Sequence, residues 1–268
     1  MYDLNKIKEY IDTKYIGQTI IQFDELNSTV VKAKSIFATC PDGTVVLSEN
    51  QSKFKIRFGR EWVSYPDENI YLSIILKPAL EDYKISKFET IASSSVCEAI
   101  NCMFQDIDCK IKWPNDILIN FKKICSISCE IVNKKNIAEG VIASLGINVN
   151  LDSEYIDEDI KQIATCIKTE TELEVDREKL IACILKKFET YYDELLNFNT
   201  IVNAVDIFSN YSILRGKDIE IVKPGKKTSR KVNVTDIDCD GWLMVLNDKG
   251  NEEILNSGDI SIRYERKT

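Results

Sequence analysis

From about Leu214 onward the chain offers only short strand-like pairs, Ile219 and Ile221, Val232 and Val234, Leu243 and Val245, Ile260 and Ile262, set apart by the turn signals Pro224-Gly225, Asp240-Gly241 and Lys249-Gly250. That period-two texture restricts what the whole chain can fold into. Residues 213–268 read as a small SH3-like β-barrel, and residues 1–212 must then build a core of their own. Upstream, strand-length apolar runs alternate with helical ones. Asp3 precedes Leu4, Ile7 and Ile11 at helical spacing, a short amphipathic helix with a carboxylate cap. Strands are predicted over 19–23, 44–48 and 70–76, with a helix over 28–37 between the first two. A helix over 87–104 carries Ile91, Ala99, Ile100 and Met103 on one face. Strands follow at 109–113, 117–119, 124–132 and 140–149, with 133–136 as a hairpin-like turn. After an acidic connector over 152–159, residues 176–198 form the clearest helix, with Leu180, Ile181, Ile184, Leu185, Phe188, Tyr192 and Leu195 on its apolar side. The order is that of an α/β (α+β) fold, a mixed sheet flanked by helices.

Composition narrows the function. At 268 residues with 44% hydrophobic and 29% charged residues, the chain can bury one large core and a small satellite. A net charge of -8 opposes a sequence-independent hold on nucleic acid, whose phosphates need a basic surface. No apolar run approaches the ~20 residues of a membrane span, and the start, MYDLNKIKEYIDT, lacks the basic and apolar regions of a signal peptide. The expectation is a cytoplasmic protein with no nucleic-acid or membrane partner. Nine cysteines stand singly, without zinc spacing or the density of a disulfide scaffold. The absence of histidine removes Ser/His/Asp and Cys/His hydrolysis and His-metal catalysis together. Chemistry therefore falls to Lys, Arg, Asp, Asn and backbone groups.

The run Lys112-Trp113-Pro114-Asn115-Asp116, followed by Ile117-Leu118-Ile119 and then Lys122-Lys123, sets a cation, an aromatic ring, an amide and a carboxylate between two strand patterns. Pro114 fixes its own φ and biases Trp113 toward extended backbone, so these side chains project in defined directions. A polar binding site and a proline turn with solvated charges are both open on these residues alone.

Further segments in the same order carry a resemblance. They are Leu26-Asn27-Ser28-Thr29, the stretch Glu49 to Trp62 with Gln51, Arg57, Gly59 and Arg60, the strand end Gly146-Ile147-Asn148-Val149-Asn150, and Ser257-Gly258-Asp259-Ile260-Ser261-Ile262-Arg263. With Lys112 to Asp116 and Lys123, they resemble the biotin-protein ligases over nearly the whole chain. The stretch Glu49 to Trp62 corresponds to that family's ligand loop, E-x-Q-x-x-G-R-G-R-x-G-R-x-W. The resemblance implies a class II aminoacyl-tRNA-synthetase-like catalytic domain followed by the barrel, in the monofunctional form that lacks a DNA-binding extension.

It also implies the chemistry. Biotin is joined to the α-phosphate of ATP, and a lysine amine on a biotin carboxyl carrier protein or domain then attacks the mixed anhydride. Such a reaction needs no protein nucleophile, only cations preorganised around carboxylate and phosphate. Lys123, Arg57 and Lys112 are the catalytic candidates by this resemblance. Ser28, Thr29, Gln51, Lys55 and Lys123 would bind biotin. Arg57, Arg60, Trp62, Asn115, Asp116, Asn148 and Arg263 would hold ATP, with Asp116 on its Mg²⁺. Edge strands of the sheet offer pairing with a carrier or a second subunit, so a homodimer is open.

The departures fall in the site itself. Phe54 and Ile56 stand at family glycines, Lys55 at an arginine and Val30 at an asparagine, and Ser126 and Ser144 at positions that look like family glycines. A Cβ restricts both φ/ψ and the approach of backbone to ligand. Three readings remain on the sequence: a biotin-protein ligase, a relative activating another carboxylic acid such as lipoate, and a non-catalytic binding protein. Ser28 and Thr29 also suit a helix cap, and Asn148 a strand end.

Overall fold

The computed structural model describes residues 1–52, 54–55, 61–62, 68–80, 83–135, 137–152, 161–222, 229–257 and 261–263, with backbone alone for 54, 55, 61, 62, 261 and 263. Helix α1 (Leu4–Tyr10) starts where the Asp3 carboxylate accepts from the Asn5 and Lys6 N–H groups. Strand β1 (Ile20–Leu26), helix α2 (Thr29–Ile36) and strand β2 (Val45–Gln51) come next, then a ribbon of β3 (Phe54–Lys55) and β4 (Glu61–Trp62), then β5 (Asn69–Leu76). Helix α3 (Ile85–Met103) leads into β6 (Cys109–Lys112), β7 (Asp116–Ile119), β8 (Lys122–Lys134) and β9 (Ile137–Asn148). Helices α4 (Ile167–Thr171), α5 (Arg177–Phe198) and α6 (Val202–Tyr211) follow. Strands β10 (Asp218–Val222), β11 (Ser229–Ile237), β12 (Leu243–Leu246), β13 (Glu252–Leu255) and β14 (Ser261–Arg263) close the described chain.

Seven strands form one sheet in the order β1-β2-β5-β9-β8-β7-β6, parallel at β1/β2 and antiparallel elsewhere. The pleat sends alternate residues to opposite faces. On one face Ile70, Leu72, Ile74 and Leu76 of β5 and Val141, Ala143, Leu145 and Ile147 of β9 join α3 and α5 in the large core. The other face is apolar only beneath α2, where Ala33, Phe37, Val46, Ile75 and Ile142 pack together. Beyond that patch the same face presents Ser48, Tyr71, Ser73, Ser144, Gly146 and Ser126. Among the described residues the sheet is thus filled with large apolar side chains on one side and, beyond α2, floored on the other mainly by serines and a glycine, with Tyr71 among them.

The second sheet is antiparallel, ordered β13-β12-β11-β10-β14, consistent with an SH3-like domain. It is bolted to the first layer by the hairpin of the Lys112 to Asp116 run. Trp113 is 2% exposed and its indole N–H donates to the Gly241 carbonyl at 3.0 Å. Gly241 has φ +80, and a Cβ there would lie 2.2 Å from Thr90 Oγ1 and 2.8 Å from the Ser86 carbonyl, so only glycine lets the barrel turn lie against α3. Lys84 and Lys87 of α3's start hold Asp240 at 2.7 and 3.4 Å.

Several elements differ from the sequence expectation. The β8/β9 hairpin is longer than predicted, its strands running to Lys134 and from Ile137. Helices α4 and α6 and strand β13 were not predicted. Helix α4 is one short turn, α6 begins at Ile201 with no side-chain cap, and β13 buries little of its run Glu252 to Leu255. Trp113, read with the binding side chains, is instead a joint between layers. Ile260 lies outside the described residues; its neighbours 261–263 form β14.

Candidate active site

Ser28 caps α2, its hydroxyl accepting from Val31 N–H at 3.5 Å, and so turns the chain from β1 into the helix over the polar floor. Thr29 is fully buried at the first helical position, and its N–H donates to Gln51 Oε1 at 2.6 Å. Gln51 ends β2, the strand paired with β1 up to Leu26 and Gln51. The adjacent pair Ser28 and Thr29 is thus brought to one corner with Gln51, 22 positions away. The Ser28 hydroxyl uses its acceptor side on the helix, which leaves its hydrogen uncommitted by the cap.

Across the floor, Lys123 Nζ meets Asp116 Oδ1 at 2.7 Å, with both side chains partly exposed. Asp116 pairs with Lys112 in the β6/β7 hairpin and with Ser126 in β8. The Lys123 backbone is held on both sides: its N–H donates to the Ile163 carbonyl at 2.9 Å, and its carbonyl accepts from Thr165 N–H at 2.9 Å. The same segment takes the Asn148 amide, which donates to the Thr165 carbonyl at 3.0 Å. Asn115 is buried, and its side-chain amide donates to the Ile127 carbonyl at 2.6 Å while its backbone carbonyl accepts from Ile127 N–H at 3.1 Å. Asn115 and Asn148 therefore pin the framework of the site through the amide groups assigned to a nucleotide.

Segment 163–165 had no role in the sequence reading. No periodicity marks it, and its partners Lys123 and Asn148 lie well upstream. Arg177 was missed for the same reason. It donates to Glu49 Oε2 at 2.9 Å and to the Asn69 carbonyl at 3.0 Å, and lies over the Tyr2 ring at 4.4 Å. Burial works against its charge, but Tyr2 and Glu49 outweigh it and raise the guanidinium above its ordinary value. Glu49, which opens the loop motif, thus serves to anchor the end of β2.

Arg57 and Arg60 lie outside the described residues, as do the side chains of Lys55, Trp62 and Arg263. Lys55 is in β3, Trp62 in β4 and paired with Phe54, and Arg263 in β14 opposite Glu220. Among the described residues no cluster of three or more Cys, Asp or Glu side chains is arranged to hold a metal. A single carboxylate, Asp116, suits a magnesium ion that arrives on nucleotide phosphates rather than one caged by protein.

No thiol here is built as a nucleophile. Burial, and secondarily Asp116, push the Cys125 thiol far up, only partly opposed by Lys123. Burial likewise raises Cys166. What the corner and the floor provide is a set of positioned hydrogen-bond groups at one end and an ammonium–carboxylate pair at the other, an arrangement for orienting a charged small molecule.

Comparison with known proteins agrees. The model of the biotin/lipoate A/B protein ligase family matches residues 20–150. The bifunctional ligase/repressor BirA of Bacillus spizizenii is 32% identical over 193 residues, 72% of this chain and 59% of that protein. Biotin–protein ligase 2 of Arabidopsis thaliana is 28% identical over 200 residues, 72% of this chain and 58% of that protein. The chain thus spans under three-fifths of the length of these curated relatives. The solved biotin protein ligase from Aquifex aeolicus in complex with biotin and ATP superposes with a TM-score of 0.80 at 23% identity, covering 92% of this chain and all of that one, a likeness of fold. Over residues 20–150 the chain belongs to the biotin/lipoate A/B protein ligase family.

Proposed function

We propose that the protein is an ATP-dependent biotin-protein ligase. The biotin carboxylate attacks the α-phosphorus of ATP, a C–O–P anhydride forms, and pyrophosphate leaves. The ε-amine of a lysine on a biotin carboxyl carrier domain then attacks the activated carbonyl, an amide forms, and AMP leaves with the amine's proton passing to solvent. The observation that carries this reading is the Lys123–Asp116 pair at 2.7 Å, set on the small-residue floor across from the Ser28, Thr29 and Gln51 corner. A molecule with a polar head and a carboxylate tail fits those two ends.

In this reading Lys123 neutralises the biotin carboxylate and the α-phosphate as they approach, with Arg57 and Lys112 adding positive charge. Ser28, Thr29, Gln51 and Lys55 hold the head group. Arg60, Trp62, Asn115, Asp116, Asn148 and Arg263 hold the nucleotide, whose Mg²⁺ enters with it. The catalytic domain is assigned to residues 1–212 and the barrel to 213–268. Preorganised charge of this kind is worth about 3–4 kcal/mol per donor when it acts on charge developing in the transition state. The histidine-free composition is consistent with a reaction run by cations alone.

The test is ATP–pyrophosphate exchange with Mg²⁺, run with biotin, lipoate and octanoate in parallel. Exchange with biotin supports the reading. Exchange only with another acid keeps the chemistry and changes the substrate, and none from folded protein overturns it.

A further inference from the structure

A line of hydroxyls runs beneath the corner that holds Thr29. Ser73 of β5 and Ser144 of β9 are Cα partners across the sheet, both fully buried, with their oxygens 2.7 Å apart. Ser73 Oγ in turn lies 2.8 Å from Thr29 Oγ1, with the geometry of a donor toward Thr29. Ser73 has one hydroxyl hydrogen, and it is committed to Thr29. Ser144 must therefore donate to Ser73. With that geometry the line runs from Ser144 to Ser73 and from Ser73 to Thr29.

The Thr29 hydroxyl then receives a hydrogen bond on its oxygen and keeps its own hydrogen. Among the described residues no acceptor takes that hydrogen, and Thr29 is fully buried. A buried donor left without an acceptor is costly, and a bound molecule is the remaining way to satisfy it. The backbone N–H of the same residue is already taken by Gln51. Thr29 consequently has one hydrogen to offer, aimed by two serines behind it.

We infer that Ser73 and Ser144 are specificity-determining positioning residues that lock the Thr29 hydroxyl as a donor, so that the site prefers an acid carrying a hydrogen-bond acceptor at the end remote from its carboxylate over a plain hydrocarbon acid. This deepens the proposed function and rests on it. Neither serine touches the reacting atoms. A pocket that hydrogen-bonds part of its ligand rejects the analogue lacking that group, because the buried partner is left unpaired. A cyclic urea or thioether ring at the head, as in biotin, supplies an acceptor; the tail of octanoate supplies none. Without Ser73 the Thr29 hydroxyl is free to rotate and loses its fixed role.

Calorimetric titration of biotin and of octanoate, without ATP, into the wild-type protein and its S73A, S144A and S73A/S144A variants tests this. Biotin affinity is expected to fall about tenfold in S73A, the effect of one hydrogen bond. S144A should lose less, and the double variant should match S73A because S73A already cuts the line between Ser144 and Thr29. Octanoate affinity should be unchanged in all three, and in steady state KM for biotin should rise with KM for ATP and kcat unmoved. Wild-type protein that binds octanoate but not biotin overturns the functional reading itself. Wild-type binding of biotin with S73A unchanged overturns only the inference, as does an equal fall for biotin and octanoate, which would mark the serines as packing alone.

Discussion

Lys123 meets Asp116 through its ammonium and the 163–165 segment through both of its backbone polar groups, so its head has little freedom to wander. Replacing it with alanine removes the charge proposed to meet carboxylate and phosphate. The expected result is a fall of about 100-fold to 1,000-fold in biotin-dependent pyrophosphate exchange, with the fold intact by circular dichroism. A variant exchanging at the wild-type rate would remove Lys123 from the mechanism. Thiols give the complementary prediction. Cys125 is fully buried beside Lys123 and its thiol is pushed up by burial, whereas Cys102 and Cys239 are exposed. Iodoacetamide at neutral pH is expected to label Cys102 and Cys239 in the native protein, leaving Cys125 unmodified by peptide mass and exchange activity intact.

Among the elements, α5 was legible because its signals agree. Asp176 caps it by accepting from Lys179 N–H, Asn199 closes it in the left-handed conformation, and its apolar residues repeat at helical spacing. Phe188 sits at the centre of that face, fully buried and 6.2 Å from the Tyr192 ring. Phe188→Ala is expected to cost about 3–5 kcal/mol, read as a lower midpoint in urea with an unchanged slope. Elements without such agreement were lost to sequence reading. Helix α6 begins without a side-chain cap, α4 is a turn held by its neighbours, and β13 opens on two adjacent glutamates and leaves Ile254 exposed. In the candidate site, Lys123 and Asp116 were singled out by the family resemblance, and their contact joins positions only seven apart in one hairpin. Arg177 and segment 163–165 were not, since a contact such as Arg177 to Glu49 spans 128 positions and leaves no local pattern.

At the scale of the whole molecule, the barrel is held to α3 by charge as well as by fit. Burial alone would raise the Asp240 carboxyl, but Lys84 and Lys87 outweigh it and hold the group below its ordinary value. A carboxylate depressed in this way contributes stability that is fully present above its unfolded value, near pH ~4, and that is lost as pH falls through the lower folded value. Asp240→Asn is therefore expected to destabilise the protein at pH 6 and to differ progressively less from wild type as unfolding is followed below pH ~4. An unchanged gap at low pH would separate Asp240 from the docking. The barrel was recognisable from its alternation, but not its attachment, because nothing near Gly241 in sequence points to Trp113.

That attachment has a consequence for the protein's birth on the ribosome. The indole of Trp113 and the carbonyl it needs are separated by 128 residues of chain. At about 5–20 residues per second, the hairpin bearing Asp116 leaves the exit tunnel roughly ten seconds before its partner is even polymerised. During that interval the indole has no acceptor in the barrel and an apolar ring open to solvent. The nascent seven-stranded layer is thus incomplete at this hairpin until Gly241 has been made and has folded back onto it.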